Sequence, residues 1–196
     1  DWICGHVSDE PLELTFHGGE PLTAGIGFFR RALPALRQAY AGAALRISLQ
    51  SNLWLLTAEY LDLFEQYQVH LGTSLDGPEE INDAQRGKGY FARTMEKLTA
   101  VRRRGLSSGC IATLTALSAP RWPEVVQFFE RERLDVSLHA ALPGLRSAAI
   151  GWALPPDEYG SLMVDIFTVT LAKGSTIRIE PIESMCNGLA AGRAGS

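Results

Sequence analysis

The sequence predicts an α/β fold in which parallel strands alternate with helices. Three observations support this prediction. Strand-like and helix-like segments alternate five times along the 196 residues, and one more strand-like segment follows them. The spacing of apolar residues changes from two in the strand-like segments to three or four in the helix-like ones. Polar residues follow the strand-like segments. The alternation is typical of a parallel sheet with helical crossovers, either an open doubly wound sheet or part of a (β/α) barrel.

The first half of the chain shows this alternation clearly. Alternating apolar and polar residues predict a strand over 12–17. Apolar residues three or four apart predict a helix over 26–40, in which Pro34 is expected to cause a kink. The next segments are a strand at 45–49, a helix that begins after Thr57 as its N-cap, and a strand at 69–75.

The second half begins with a polar loop, predicted to hold Asn82, Asp83, Arg86, Gly87 and Gly89. The segments that follow are a helix at 91–104, a strand at 108–117, a helix at 122–133, a strand at 134–140, a helix at 155–173 and a short strand at 176–179. We expect residues 1–180 to form one barrel-like domain. Residues 181–196 are expected to form a tail that leads toward a C-terminal auxiliary-cluster region. From Asn187 onward this tail is rich in Gly and Ala and is expected to be loose.

Composition and charge argue against two classes of partner. The formal net charge is −4, and the one basic cluster, Arg102–Arg104, stands at the end of a predicted helix where cations suit the helix dipole. Nucleic acid is therefore not an expected partner. No apolar run reaches the roughly 18 residues that a membrane-spanning helix needs, so no membrane span is predicted.

The cysteines indicate a reducing compartment. Cys4, Cys110 and Cys186 are odd in number and far apart, which argues against a disulfide framework and favours a cytoplasmic location. No two of them have the close spacing of a C-x-x-C metal motif, so no metal ligands are predicted in this chain.

Polar residues with useful chemistry lie at or near the carboxyl ends of five predicted strands. In parallel α/β proteins, ligands bind at the carboxyl ends of the strands, so we expect these residues to form a functional rim. They are His17, Gly18, Gly19, Glu20, Gln50, Ser51, Asn52, Ser74, Asp76, Thr113, Thr115 and His139.

The turn after the first strand is the centre of this rim. Gly18 and Gly19 allow a left-handed backbone or a close approach to a ligand, and Glu20 adds a carboxylate. Pro21 suits the first turn of a following helix. The alternative is a plain strand-to-helix turn, in which Glu20 lies at the helix start because an acid favours the dipole there.

Four motifs in order resemble one family. They are Phe16-His17-Gly18-Gly19-Glu20-Pro21-Leu22, Gln50-Ser51-Asn52, Ser74-Leu75-Asp76-Gly77-Pro78 and Asn82-Asp83 followed by Arg86. Over about residues 10–140 the chain is similar to radical S-adenosylmethionine (SAM) enzymes of the anaerobic sulfatase-maturase type, whose branch carries a C-terminal SPASM domain with extra iron–sulfur clusters. The resemblance implies a partial (β/α)6 barrel. It also implies SAM bound to a [4Fe–4S] cluster that cleaves it reductively to a 5′-deoxyadenosyl radical.

The resemblance also implies roles for the rim residues. Gly18, Gly19 and Glu20 would hold the methionyl amino group of SAM, and Ser74 and Arg86 would bind its carboxylate. Gln50 and Asn52 would lie near the ribose and the substrate, in a loop where Ser51 and Leu53 replace the usual Thr and Gly. The candidates for substrate contact are His17, Asp76 and His139.

Each of those three candidates has a plainer interpretation. His17 is also interpreted as a core histidine, and Asp76 as the Asx turn before Gly77-Pro78 or as a residue that orients the rim. His139 lies near the strand end where family members bind adenine, but no residue is assigned to adenine and no catalytic residue is identified.

The family's C-x-x-x-C-x-x-C motif, which ligates the cluster, is not found in this sequence. Cys4 lies too close to the Gly pair to be its last cysteine, because a whole helix separates the two in relatives. We therefore expect the chain to be an internal piece that lacks the first strand, the cluster loop and the SPASM region, and to be inactive alone. Its parent is expected to oxidise a Cys or Ser of a sulfatase to formylglycine, or to mature a related peptide. Flavodoxin or ferredoxin is the expected electron donor.

Two alternatives stay open from the residues. A barrel rim with His17, Glu20, Asp76 and His139 suits a divalent metal, and hence a hydrolase or isomerase. The second alternative is a degenerate radical SAM barrel that binds SAM or a peptide without catalysis.

Overall fold

The structure is a computed structural model that describes residues 11–40, 44–143, 151–190 and 192. Cys4 lies outside these described residues. The strands in the described ranges are β1 (Leu12–Phe16), β2 (Leu45–Gln50), β3 (Val69–Ser74), β4 (Ser108–Leu114), β5 (Val136–Ala140) and β6 (Ile179–Glu180).

The helices alternate with these strands. They are α1 (Ile26–Ala39), α2 (Ala58–Gln66), α3 (Glu79–Arg86), α4 (Tyr90–Arg103), α5 (Trp122–Glu132), α6 (Pro156–Lys173) and α7 (Ile182–Ala190). Short 3₁₀ helices span Pro21–Ala24 and Ala119–Arg121. Among the described helices, none has both the length and the apolar character that crossing a membrane requires.

The strands are parallel and follow one another in chain order, β1 to β6. Parallel pairing joins β1 to β2, β2 to β3, β4 to β5 and β5 to β6. Parallel neighbours require a crossover, and a helix occupies the chain between successive strands. The predicted class, α/β with parallel strands and helices between them, is confirmed.

The chain divides into two compact units. The first unit comprises residues 1–74 and 92–108, and contains β1, β2 and β3 with α1, α2 and most of α4. The second comprises residues 75–91 and 109–196, and contains α3, β4, β5, β6, α5, α6 and α7.

An aromatic cluster forms the core of the first unit. Phe29 of α1 is 1% exposed and lies at its centre. Its ring centroid is 5.4 Å from that of Phe16, 5.1 Å from Phe28, 5.9 Å from Tyr60 and 5.5 Å from Phe64, in edge-to-face arrangements. Edge-to-face aromatic pairs are favourable beyond the area they bury, so this cluster fixes α1 and α2 against β1.

The three strands of the first unit have one apolar and one polar face. On the apolar face, Leu14 lies beside Ile47, and Ile47 lies beside Val69. The opposite face, called here the polar face of β1–β3, consists of Glu13, Thr15, Arg46, Ser48, Gln50, His70, Gly72 and Ser74. Most parallel sheets are buried on both faces and read as continuous apolar runs. A parallel sheet with one polar face is therefore suited to a polar ligand on that face.

The core of the second unit is built on α5. The Phe128 ring lies 5.7 Å from Phe91 and 5.1 Å from Phe129, measured between centroids. Gly77 has a φ of 133°, and a Cβ built on it would lie 3.2 Å from the Val125 side chain. Glycine is therefore needed at this turn for both its backbone conformation and its close packing.

The polar loop predicted after β3 is wrong in part, because its first residues form helix α3. Asn82, Asp83 and Arg86 lie in this helix. Glu79 and Glu80 stand in its first turn, where acids favour the positive end of the helix dipole. The helix buries a single apolar side chain, so its sequence lacks the apolar spacing that predicted the other helices.

The C-terminal prediction also needs correction. Residues 182–190 form α7, although a loose tail was predicted from Asn187 onward. Strand β6 has two residues, fewer than predicted. Helix α1 continues through Pro34 to Ala39, and Thr57 stands at the N-cap position of α2 without a side-chain capping bond.

The chain between α3 and α4 is held by Asp83. Its Oδ1 accepts hydrogen bonds from the Phe91 N–H at 2.8 Å and the Asn82 side chain at 3.2 Å, and its Oδ2 accepts one from the Gly89 N–H at 2.5 Å. Partial burial raises the pKa of Asp83, but these donors outweigh it and hold the pKa below its ordinary value.

The aromatic cluster yields a stability prediction. We expect Phe29→Ala to lower the free energy of unfolding by about 3–5 kcal/mol, because it empties a fully buried site. Phe28→Ala is the matched control: Phe28 is 39% exposed, so its loss should cost clearly less. Urea denaturation measures both values, and equal costs would contradict a core centred on Phe29.

Asp83 yields a pH prediction. Because the folded pKa is depressed, the stability from ionised Asp83 is present above its ordinary pKa of 3.8 and is lost as the pH falls through the folded pKa. Asp83→Asn should therefore lower the free energy of unfolding by about 1 kcal/mol near neutral pH, a value discounted for partial exposure.

The deficit of this variant should shrink as the pH falls below about 4, as measured by urea denaturation across pH. Asp165→Asn, at an exposed position of α6, is the control and should stay within about 0.5 kcal/mol of the wild type. A pH-independent deficit for Asp83→Asn would show that its carboxylate charge is not what holds the loop.

Candidate functional site

The Glu20 carboxylate joins the loops that follow β1 and β2. Its Oε1 accepts hydrogen bonds from the Leu22 N–H at 3.0 Å and the Ser51 hydroxyl at 2.7 Å. Its Oε2 accepts one from the Asn52 N–H at 2.9 Å. Glu20 is also the N-cap of the 3₁₀ helix Pro21–Ala24, as the plainer interpretation predicted. These donors use most of the acceptor capacity of the carboxylate, so its first role is to hold the two loops.

The glycine turn before Glu20 is exposed. Gly18 has a φ of 93° and Gly19 a φ of 63°, and no atom lies within 4 Å of a Cβ built on either residue. Both are therefore glycines for conformational reasons, because a side chain is strained at such φ values. His17, just before the pair, is exposed rather than in the core. The turn leaves its backbone accessible to a ligand.

The loop after β2 is fixed by its own side chains. The Ser51 hydroxyl accepts a hydrogen bond from the Leu53 N–H, and Asn52 Oδ1 accepts one from the Trp54 N–H, both at 2.9 Å. Leu53 has a φ of 64° and is fully buried. The resemblance implies a glycine at this position, which would suit that left-handed conformation. Here a leucine adopts it and is fully buried.

Gln50 and Ser74 meet on the polar face of β1–β3. The Gln50 side-chain amide donates toward the Ser74 hydroxyl at 3.4 Å, a long hydrogen bond. Gln50 lies beside Gly72 in the pairing of β2 with β3. In the first unit, the structure thus places Glu20 in contact with Asn52, and Gln50 in contact with Ser74. All four residues were predicted as members of the rim.

In the second unit, Asp76 and Arg86 form a buried ion pair. The Asp76 side chain is 1% exposed and that of Arg86 is 22% exposed. Arg86 Nη2 donates to Oδ1 at 2.7 Å, and Nε lies 2.7 Å from Oδ2. The Asp76 carboxylate accepts two further hydrogen bonds, from the Thr113 N–H at 2.8 Å and from the Gln85 side chain at 2.9 Å. This geometry favours the rim-orienting role predicted for Asp76; its substrate contact stays a prediction.

Asp76 keeps the Arg86 guanidinium charged and oriented. Burial lowers the pKa of Arg86, but the hydrogen bond and the negative charge of Asp76 outweigh burial, so the pKa lies above its ordinary value. The guanidinium also lies 5.5 Å from the centroid of the Tyr90 ring. It carries five N–H donors, and Asp76 engages two of its nitrogens, which leaves donor capacity for a ligand carboxylate.

A polar network lies behind this ion pair. The sequence predicted Thr113 and Thr115 as rim residues, but it did not predict their partner Gln85. Gln85 donates to the Thr113 carbonyl at 3.0 Å and accepts from the Thr115 hydroxyl at 2.9 Å. The Thr115 N–H donates to the buried Ser118 hydroxyl at 2.9 Å. No local pattern marks Gln85, because its partners lie about thirty residues away and it falls in the segment that was predicted to be a loop.

His139 lies at the exposed end of β5, beside Thr113 in the pairing of β4 with β5. Its Nε2 is 2.9 Å from the Ser137 hydroxyl, and it lines a cleft of about 610 Å³ with Leu154, Tyr159 and Glu180 among the other walls. The Tyr159 hydroxyl donates to the Leu138 carbonyl at 2.7 Å. The cleft is mostly apolar, and nothing in it assigns a residue to adenine.

Taken separately, each unit offers a group that suits one end of an amino acid, but the described residues do not suit an iron–sulfur cluster. The exposed glycine turn of the first unit suits an amino group, and the oriented Arg86 guanidinium of the second unit suits a carboxylate. A cluster needs several thiolates together. The described cysteines are Cys110, buried in β4, and Cys186, half-buried in α7. Within the described ranges, no three His, Cys, Asp or Glu side chains are grouped to hold a metal ion, so the hydrolase alternative gains no support.

Comparison with solved structures concerns the fold. A chain described as native anSMEcpe with bound AdoMet and Kp18Cys peptide matches 99% of this chain and 56% of its own length, with a TM-score of 0.85 and 19% sequence identity. At this identity the match shows the fold alone. It confirms the partial radical SAM barrel that the resemblance implied.

Comparison with curated sequences concerns the family. An uncharacterized protein of Methanothermobacter thermautotrophicus is 41% identical over 183 residues, which cover 93% of this chain and 70% of that protein. A serine-type anaerobic sulfatase-maturating enzyme of Bacteroides thetaiotaomicron is 25% identical over 174 residues, which cover 78% of this chain and 42% of that enzyme. The chain thus spans less than half the length of this enzyme.

The family model for the radical SAM superfamily matches residues 9–129, more than half of the chain. These residues include the glycine turn, the loop after β2, and helix α3 with Arg86. Together with the relative that is 41% identical, this match shows that the chain belongs to the radical SAM superfamily.

Proposed function

We propose that this chain is the core of a radical SAM maturase that modifies a side chain of a peptide or protein. The observation that carries the proposal is the turn at Gly18 and Gly19, whose backbone is exposed while internal donors hold Glu20. An ammonium such as the methionyl amino group of SAM is bound by carbonyl and carboxylate oxygens, which this turn supplies.

The site residues enter this proposal in separate roles. Gly18, Gly19 and Glu20 bind the amino group of SAM. Ser74 binds its carboxylate as a hydroxyl donor, and Arg86 binds it as a charged fork. The remaining contacts, to the ribose and the substrate, belong to Gln50, Asn52, His17 and His139. Asp76 acts through Arg86, since its own carboxylate is already saturated.

The proposed substrate is a peptide or protein side chain. The polar face of β1–β3 offers donors and acceptors that suit an extended polar chain. Serine-type and cysteine-type anaerobic sulfatase-maturating enzymes are among the relatives, and a solved chain of this fold carries a bound peptide. These names support oxidation of a Cys or Ser to formylglycine in a sulfatase, or a related peptide maturation, as the reaction of the whole protein.

The proposal includes groups outside this chain. The ligands of the [4Fe–4S] cluster lie outside these 196 residues, and flavodoxin or ferredoxin delivers the electron. The described residues bind and orient SAM and the substrate, in the cytoplasm. The alternative is a non-catalytic module that binds SAM or a peptide, and it is favoured for the isolated chain because Cys110 and Cys186 do not form a cluster site.

The cluster provides the test that separates these two functions. We expect the 196-residue chain, reconstituted anaerobically with iron and sulfide, to hold no stoichiometric cluster and to leave SAM intact. The protein expressed from the complete reading frame should hold a cluster, cleave SAM, and oxidise a sulfatase peptide that carries Cys or Ser. Iron analysis, release of 5′-deoxyadenosine and mass spectrometry of the peptide measure these outcomes.

A matched control replaces both Cys110 and Cys186 by alanine in the 196-residue chain, and its iron content should equal that of the wild-type chain. Stoichiometric iron and SAM cleavage by the isolated chain would contradict the assignment of the cluster ligands. A complete protein that binds SAM but never cleaves it would support the non-catalytic module instead.

Arg86 provides a test of SAM recognition. Arg86→Lys keeps the positive charge beside Asp76 but removes the fork that suits a carboxylate. We expect the variant to bind SAM about tenfold more weakly, which corresponds to about 1.4 kcal/mol. Isothermal titration calorimetry measures the affinity.

The matched ligand is decarboxylated SAM, which should bind the wild type and Arg86→Lys with equal affinity because it lacks the group that Arg86 recognises. If the substitution weakens the binding of both ligands to the same extent, Arg86 does not recognise the SAM carboxylate and serves only to neutralise Asp76.

A further inference from the structure

Gly72 occupies an unusual place for a glycine. It lies within β3, beside Gln50 in the pairing with β2. Its φ lies outside the left-handed region, so its backbone conformation is open to any residue. Glycine within a strand is unfavourable, since it costs chain entropy and packs no side chain. The reason for this glycine must therefore be space rather than conformation.

The space beside Gly72 is taken by Gln50. A Cβ built on Gly72 would lie 2.0 Å from Gln50 Oε1 and 3.2 Å from Gln50 Cδ. At Gly77, by contrast, the nearest side-chain atom to such a Cβ lies 3.2 Å away. The Gln50 carboxamide therefore occupies the space beside the backbone of β3 that a side chain at residue 72 would fill.

A second contact defines the direction of this carboxamide. Gln50 Nε2 points toward the Ser74 hydroxyl, two residues beyond Gly72 on the same face of β3. The carboxamide thus has two neighbours on β3, the backbone of Gly72 and the hydroxyl of Ser74. Both Gln50 and Ser74 belong to the polar face of β1–β3 and to the proposed ligand site.

We propose that Gly72 is a positioning residue for the ligand site: its missing side chain lets the Gln50 carboxamide lie across β3 and so sets the direction in which it meets SAM. The inference rests on the proposed function for the contact between Gln50 and SAM. Gly72 itself touches no ligand in this account. A methyl group at residue 72 would displace the carboxamide and leave the strand intact, since the far end of a glutamine side chain is flexible.

Nuclear magnetic resonance of the 196-residue chain tests the geometry without any ligand. The wild type should show nuclear Overhauser effects between the Gln50 side-chain NH₂ and the Gly72 Hα protons. Gly72→Ala should abolish the corresponding effects and shift the Gln50 NH₂ resonances, while the backbone resonances of β1 and β2 change little. Gly160→Ala in α6 is the control, because a Cβ there meets no atom within 4 Å and should leave Gln50 unchanged. An unmoved carboxamide in Gly72→Ala overturns the proposal.

Calorimetry with SAM, on protein expressed from the complete reading frame and loaded with its cluster, tests the functional half by a double-mutant cycle. Gly72→Ala and Gln50→Ala should each weaken SAM binding by about three- to tenfold, and the double variant should be no weaker than Gln50→Ala alone. Additive losses, or equal affinity in all four proteins, would overturn the role of Gly72 while SAM binding itself stands. A wild type that binds no SAM would instead refute the proposed function, and the magnetic resonance result would still decide where Gln50 lies.

Discussion

The alternation of side chains along β1–β3 is the constraint on which the first unit depends. One face of these strands carries apolar rows that pack with α1 and α2, and the other carries the polar face. A strand exposes successive side chains on opposite sides, so a shift of one residue in the pairing would exchange the two faces. The register Thr15 to Ser48 to His70 therefore fixes both the core and the candidate ligand surface. Packing and function are tied to the same pairing.

Two carboxylates then shape the loops at the ends of the strands, one in each unit. Glu20 accepts hydrogen bonds from residues 22, 51 and 52, and Asp76 from residues 85, 86 and 113. A buried charge is costly unless donors surround it, so each carboxylate draws distant segments together. The sequence motifs presented both as direct ligand groups. Their hydrogen-bond partners show that both have a structural role first. Glu20 bonds to the loops and leaves the backbone of the glycine turn exposed, and Asp76 orients Arg86.

Sequence patterns predicted the elements whose packing is simple. The strand at 12–17 and the helices at 26–40 and 122–133 were predicted to within a few residues, because one face of each is regularly apolar. Helix α3 was missed because it buries a single apolar side chain and is held by polar contacts. Helix α7 was missed because Gly and Ala after Asn187 suggested a tail, although its earlier residues are apolar. Thr115 was predicted as a rim residue, but Gln85, which links it to Asp76, had no local signal.

The sequence by itself determined the alternation of strands and helices, the glycine turn and the ordered motifs, because these depend on neighbours a few residues apart. The tertiary structure alone decided which partners the polar groups have. Glu20 meets residues 31 and 32 positions away, and Gly72 makes room for Gln50 on the neighbouring strand. Such contacts follow from strand register and loop packing, which bring distant segments together. A pattern of neighbouring residues therefore cannot predict them.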